Sequence, residues 1–377
     1  MNLHEFLTHP DVQLPLRWDS YSDYETFVTE RLTTFISLVE EIDSSAVADA
    51  IRLRKDSMSR ACTDLLESLR LFSKGHPHDA YVPFDETMKA LTNEIEKHAF
   101  ETKLINDLGI LYRVRRSQTP FLKRNDLFHI PFEMRHIVTT QRYSIPGLPC
   151  LYLGGSLYTC WEEMGRPPLH ELQCSAFWAK SGKTLKLLNL SNSPARLALY
   201  APHGASPFEP DLLITNIVLW PLQAMSSVAV KHSSGAFKPE YVIPQMVLQW
   251  VSKNHGFDGV VYFSTHVRSV SKRSPLPICN VVLPAKQVTA KGRCSHLCDA
   301  FKMTDPLGWQ LLSSINVGKG VSGTIIPSFP FEFLEGIEEQ YENTEFGMVQ
   351  TRLNKIVEGI TLRNKNGEPS IGDVCAD

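Results

Sequence analysis

The stretch "QRYSIPGLPCLYLGGSLYTCWEE", Gln141 to Glu163, places an arginine and a tyrosine before a Pro-Gly turn and ends on two carboxylates. Arg142 closes an extended segment, where a guanidinium fork can grip a phosphate or carboxylate through two hydrogen bonds. Tyr143 and Tyr152 each offer a flat face to an aromatic ring, or simply fill a core. Glu162 follows Cys160 and Trp161 on a helix expected over Ser156–Met164, so its carboxylate is firmly held beside bulky neighbours. Adjacent helical residues point about 100° apart, so one of Glu162 and Glu163 faces the sheet and the other faces water. Arg113, inside the apolar run "ILYRVR", is either turned to solvent by strand alternation or holds an anion at a cleft. Ser264 ends the strand "VVYFS" after the Asp258-Gly259 turn, well placed to bond a ligand hydroxyl or amide. No nucleophile elbow surrounds it, which argues against a serine hydrolase. Dinucleotide-binding GxGxxG, P-loop and HExxH patterns are also missing from the sequence.

The "RCSHLC" stretch brings Cys294, His296 and Cys298 close together, but a structural zinc site needs four ligands and no second pair follows, so no metal is expected. Eight cysteines spread over 377 residues do not make a disulfide framework, and they suit a reducing, cytoplasmic setting. A net charge of −3 gives no basic field for nucleic acid or an anionic membrane. No apolar run nears the ~18 residues of a membrane span.

These residues need elements to position them. The first hundred residues read as helices: a capping box at Ser22–Glu25, a helix carrying Phe27 to Ile42, a second from Ser44-Ser45 to Gly75, and a third from Asp85 to about His98. From about Gly109 the texture changes to short strands, read at "GILYRVRRS", "PCLYLGGS", "KTLKLLNL", "DLLITNIVLWPL", "GVVYFSTH" and "CNVVLPAK". Further helices are expected over Pro244–Asn254 and Glu345–Glu358, before a disordered tail of about fifteen residues. The expected architecture is α+β: a helical region over 1–105, regulatory or partner-binding; a sheet-rich catalytic domain over 106–300; and a C-terminal extension over 301–377.

"LYRVR", "QRYSIPGLPCLYLGGSLYTCWEE" and "DGVVYFSTH" with "CNVVLP", in that order over Leu108–Pro284, resemble the RES domain, a family named for an Arg, a Glu and a Ser. That resemblance implies an ADP-ribosyltransferase-like fold that takes NAD as substrate and cleaves its nicotinamide–ribose bond. It also implies a cytoplasmic bacterial toxin or defence effector, restrained by an antitoxin or other inhibitory protein and possible as a homodimer. Carried over by position, Glu162, Arg113 and Ser264 would be catalytic, and Arg113, Arg142, Tyr143, Tyr152 and Ser264 would bind NAD. Two other readings stay open: an ADP-ribosyltransferase with a macromolecular target, and an inactive module that binds NAD.

Overall fold

The computed structural model describes residues 1–18, 23–94, 100–102, 109–118, 122–200, 210–253, 256–267, 278–315, 330–334, 337–365 and 372–374. At the N-terminus, α1 (Leu3–Thr8) starts on a capping box formed by Asn2 and Glu5. The next helix, α2 (Tyr24–Glu40), is capped by Asp23, whose side chain accepts from the Thr26 amide at 2.8 Å. The cap thus lies at Asp23 rather than at the expected Ser22, which is outside the described residues. The stripe Phe27, Val28, Leu32, Phe35, Leu38 and Val39 is buried, as its spacing requires. The long second helix is two, α3 (Ala46–Arg52) and α4 (Lys55–Ser73), separated at Leu53 and Arg54. Gly75, at φ +88°, ends α4 in the left-handed conformation that glycine adopts without a Cβ penalty. The third helix, α5 (Pro77–Ala90), begins earlier than expected, because Pro77 in its first turn starts a helix rather than separating two.

The sheet is built from β1 (Phe100–Thr102), β2 (Leu111–Arg116), β3 (Cys150–Gly154), β4 (Leu172–Ala179), β5 (Leu185–Leu190), β6 (Gly259–Phe263), β7 (Cys279–Pro284), β8 (Phe301–Met303) and β9 (Leu307–Gly308). Its order is β1-β5-β6-β7-β3-β2-β4-β8, with β9 also on β4. The β5–β6 pair is parallel and the other pairs are antiparallel, so the molecule is a mixed sheet with helices, in keeping with α+β. The junction between β3 and β2 is weak. They meet at the single pair Tyr112–Gly154, whereas β3 pairs with β7 along all its residues and β2 with β4 along all of its own. From that rung toward Arg116 of β2 and Cys150 of β3 the two strands therefore part.

Between the strands lie α6 (Leu157–Glu163), α7 (Pro194–Tyr200), α8 (Pro210–Val218), α9 (Trp220–Ser226) and α10 (Val242–Lys253). The run "DLLITNIVLWPL", expected as a strand, forms α8 and the start of α9. Its residues from Ile214 to Leu222 are all buried, and a run apolar on every side has no period that separates strand from helix. Downstream are α11 (Ser295–Ala300), α12 (Trp309–Ser314), the hairpin β10–β11 (Pro330–Leu334, Ile337–Gln340), and α13 (Glu345–Lys365), which runs past its expected end.

One core joins α1–α5 and α8–α10 to Leu188, Leu190, Val260, Tyr262 and Val282 of the sheet. Phe35 stacks on Trp220 at 4.1 Å, and the Trp220 indole N–H donates to the Val12 carbonyl. The N-terminal helices thus share their core with the sheet. A second core packs α6, α12 and α13 on Tyr112, Val114, Cys174 and Ala176 of β2 and β4. The opposite face buries Leu151, Leu153, Val261 and Val281 under Phe128, Phe132 and Leu297. The expected boundary at 105/106 and most of the expected disordered tail lie outside the described residues. Among the described residues, no helix is long and apolar enough to cross a membrane.

Candidate functional site

Where β2 and β3 part, a cleft of about 400 Å³ opens, within the range of small-molecule sites. Its walls include Arg113 and Val114 of β2, Tyr152 and Gly154 of β3, Cys160 and Glu163 of α6, Tyr262 of β6 and Asn280 of β7. Gln141 and Arg142, from the turn before β3, close one side with Tyr241, and His266 stands at the rim.

The helix that carries the carboxylate is anchored at its N-terminal end. Ser156 caps α6, its hydroxyl accepting from the Thr159 amide at 3.1 Å. Gln350 of α13 accepts from the Leu157 amide at 3.0 Å, so the C-terminal helix helps to seat α6. Gly154 lets α6 approach β3: a Cβ there would lie 2.6 Å from the Cys160 sulfur. That thiol donates to the Tyr112 carbonyl, and burial pushes it up to about 12, so it stays protonated.

Seated in this way, α6 presents Glu163 to the cleft and turns Glu162 away. Ser264 Oγ donates to Glu163 Oε1 at 2.6 Å and Asn280 Nδ2 donates to the same oxygen at 2.8 Å. Oε2 is left toward the cleft, with His266 Nε2 at 3.8 Å. Glu162, 3% exposed, accepts two bonds from Arg166, at 2.9 and 3.0 Å, and a third from the Tyr158 hydroxyl. The expectation that Glu162 supplies the cleft carboxylate is therefore corrected. The short helix places its neighbour there, because Arg166 folds back over the far side. Ser264 stands behind Glu163 rather than in the cleft lining, and so orients the carboxylate.

Both arginines reach the site. Arg142 is buried; its Nη2 donates to Thr265 Oγ1 at 2.9 Å, its Nη1 to the Ser226 carbonyl at 3.5 Å, and its guanidinium lies 5.2 Å from the Tyr241 ring centre. Arg113 is half-buried, and its buried Nη1 has no acceptor among the described residues. Burial, reinforced by Arg115, brings its guanidinium down to about 10, still protonated at neutral pH. A buried donor without an acceptor is costly unless a ligand supplies one. Tyr152 lines the cleft and donates its hydroxyl to the Tyr143 carbonyl at 2.7 Å. Tyr143 itself is fully buried behind the wall, against Tyr262 at 4.3 Å, and does not line the cleft. Tyr143 thus supports the site from behind, a correction to its expected place as a contact for NAD.

Sequence reasoning missed Tyr241, His266, Asn280 and Thr265. Asn280 left a signal, a lone polar side chain inside the apolar strand "CNVVLP"; Tyr241 and His266 sit in connections whose course no periodicity reveals. Elsewhere, Cys294, His296 and Cys298 share one short helical turn, the Cys298 amide donating to the Cys294 carbonyl at 3.0 Å, but are engaged separately. His296 Nε2 lies 3.0 Å from Asp258, the Cys294 amide donates to His129, and Cys298 is disulfide-bonded. A wider hollow between Leu169, His170 and Trp309 gathers no comparable charge, since Glu345 there accepts from Trp309 and Ser313.

Comparison with known proteins gives one decisive relative. The chain is 31% identical over 349 residues to the protein named "Putative toxin YopC" of Bacillus subtilis (strain 168), covering 90% of this chain and 78% of that protein. The chain belongs to the YopC family. No family model matches it, and no solved structure does. The 349 aligned residues extend well beyond the Leu108–Pro284 span of the site blocks.

Proposed function

We propose that this YopC-family protein binds NAD in the cleft between β2 and β3 and cleaves its nicotinamide–ribose bond, with toxicity to the cell as the outcome. The observation that carries the reading is the convergence, on one cleft, of a carboxylate oriented by two donors with two arginines and several tyrosine rings. Departure of nicotinamide leaves an oxocarbenium-like ribose, which a carboxylate close to the ring stabilises electrostatically. Glu163 suits that role: Ser264 and Asn280 fix one oxygen, and the other points to the substrate. Nicotinamide leaves from a cationic state, so no strong general acid is required. Arg113 and Arg142 neutralise the pyrophosphate, and Tyr152 or Tyr241 offers a face for a ring. The ADP-ribosyltransferase-like fold belongs to the same reading, supported by the RES resemblance and by a sheet that parts at its centre. The relative's name supports the toxic outcome.

The test is to incubate pure protein with NAD and identify every product. Free nicotinamide with ADP-ribose, or with its phosphorolysis product, supports the reading. A labelled protein or nucleic acid turns it into a transferase, and binding without turnover into an inactive module. Absence of both binding and turnover overturns it.

A further inference from the structure

The wall of the cleft opposite Glu163 leads back to the N-terminal segment. Tyr241, whose ring lies beside the Arg142 guanidinium, directly follows Glu240 in the short 3₁₀ turn Pro239–Tyr241. Glu240 is 1% exposed, a depth at which a carboxylate needs donors. One of them is the Trp18 indole N–H, at 3.0 Å from Oε1; the Lys231 amide donates to the same oxygen at 2.9 Å. Trp18 is itself held on several sides: the Lys231 ammonium lies 4.6 Å from its ring centre, Tyr24 packs edge-on at 5.3 Å and His232 edge-on at 6.2 Å. Glu240 and Arg142 act on one phenol, since Glu240 raises the Tyr24 hydroxyl beyond the effect of burial while Arg142 lowers it. Trp18, Glu240, Tyr241 and Arg142 thus form a continuous path from the N-terminal helices to the ligand wall.

We propose that the N-terminal segment is part of the ligand site: Trp18 is a positioning residue that, by fixing Glu240, sets Tyr241 and Arg142 against the anionic part of the ligand. The ligand's identity rests on the NAD reading above; the mechanical link does not. Trp18→Phe keeps an aromatic ring, smaller than the indole, and removes the N–H, leaving Glu240 with one donor fewer. Glu240 and the turn that carries it then shift, loosening the arginine–tyrosine wall.

The experiment compares wild type, Trp18→Phe and Phe35→Leu in the full chain. Phe35→Leu opens the N-terminal core at the Trp220 stack without touching Glu240. Amide hydrogen exchange is followed in the peptides that hold Arg142 and Tyr241, and NAD affinity and turnover are measured in parallel. Trp18→Phe is expected to speed exchange in both peptides. It should weaken NAD binding roughly three- to tenfold, less than the full loss of a hydrogen bond to a charged group because Trp18 acts on the ligand only through Glu240, and raise KM with kcat nearly unchanged. Phe35→Leu should lower the thermal midpoint and leave these readouts alone. Unchanged exchange in Trp18→Phe, or the same changes in Phe35→Leu, overturns the proposal. If wild type ignores NAD, the NAD reading fails while the exchange data still decide this one.

Discussion

On one face of α6, Glu162 commits both oxygens to Arg166 and Tyr158 and is sealed from water; on the other, Glu163 gives one oxygen to Ser264 and Asn280 and leaves the second toward the cleft. The residue type is the same and the positions are adjacent, yet the partners differ in kind. Glu162 faces a cation that belongs to its own turn. That turn is strained, because Gly165 at φ +76° is followed by Arg166 at φ +60°, an uncommon conformation for a residue with a Cβ. The ion pair and the Arg166 guanidinium lying 5.5 Å from the Trp161 ring centre hold this reversal in place. Glu163 faces neutral donors that orient it without neutralising it, which leaves its charge available. A carboxylate paired with a neighbour's cation stabilises a turn, and one cradled by amide and hydroxyl can act on a ligand.

The sharpest way to break this contrast is to neutralise each glutamate in turn. Glu163→Gln should lower NAD turnover by about two to three orders of magnitude, the cost typical of losing one well-placed stabilising group. Glu162→Gln should keep most of the turnover and lose about 1–2 kcal/mol of stability, less than a fully buried pair would lose because Arg166 stays half in water. Steady-state rates and denaturant titration of both variants decide the matter, and a dead Glu162→Gln beside an active Glu163→Gln would reverse the assignment.

The cation side of the cleft should give the next largest effect. Arg113→Ala and Arg142→Ala, each in the Glu163→Gln background, should raise the calorimetric Kd for NAD by about 10- to 100-fold, since hydrogen bonds to charged groups contribute about 1.5–3 kcal/mol. Arg142→Lys should recover only part of this, because an ammonium cannot reproduce the fork. Unaltered affinity in both alanine variants would remove the anion clamp.

Gly154→Ala tests the seating of α6. The new methyl meets the Cys160 sulfur, so either the thiol turns away from the Tyr112 carbonyl or the helix lifts and carries Glu163 with it. The expected cost is about 1–3 kcal/mol in a denaturant titration, together with a fall in turnover that Glu162→Gln does not share.

The smallest effect lies at a buried histidine outside the cleft lining. His129 is fully buried, its Nδ1–H donating to the Ile130 carbonyl at 2.8 Å and its Nε2 accepting from the Cys294 amide at 2.9 Å. Burial, first among the causes, brings its pKa down from 6.5 to about 4. The folded state thus resists a proton that the unfolded chain accepts, so this contribution is complete above pH 6.5 and falls away as pH drops toward 4. By about pH 5.5 the loss should be about 1 kcal/mol, and His129→Gln should flatten that part of the stability curve.

Much of the site was legible because its blocks are local. Arg142, Tyr152 and the helix with its glutamates fall within one short strand–turn–helix run, and Arg113 and Ser264 each stand at an apolar strand whose edges are plain. The phase of α6 was not legible. Leu157 to Cys160 are buried all round, so seven residues give no apolar stripe from which to say which glutamate looks inward. Asn280 escaped for a related reason: it joins the site through strand order, and β7 lies beside β3 only because the chain returns to it, while Tyr241 comes from a short turn before α10. The same long-range packing explains why the all-buried Ile214–Leu222 run reads as a strand and folds as helices.

The single Tyr112–Gly154 rung has a mechanical consequence. A continuous sheet resists shear along its whole width, but the two halves of this one share a single rung, like a pair of jaws at a pin, with α6 packed across the seam. Arg113 belongs to one jaw and the turn bearing Arg142 to the other, so an anion gripped by both acts as a strap across the opening. Ligand grip and jaw stiffness are then one property, set by the β2–β3 seam as much as by the charges that line it.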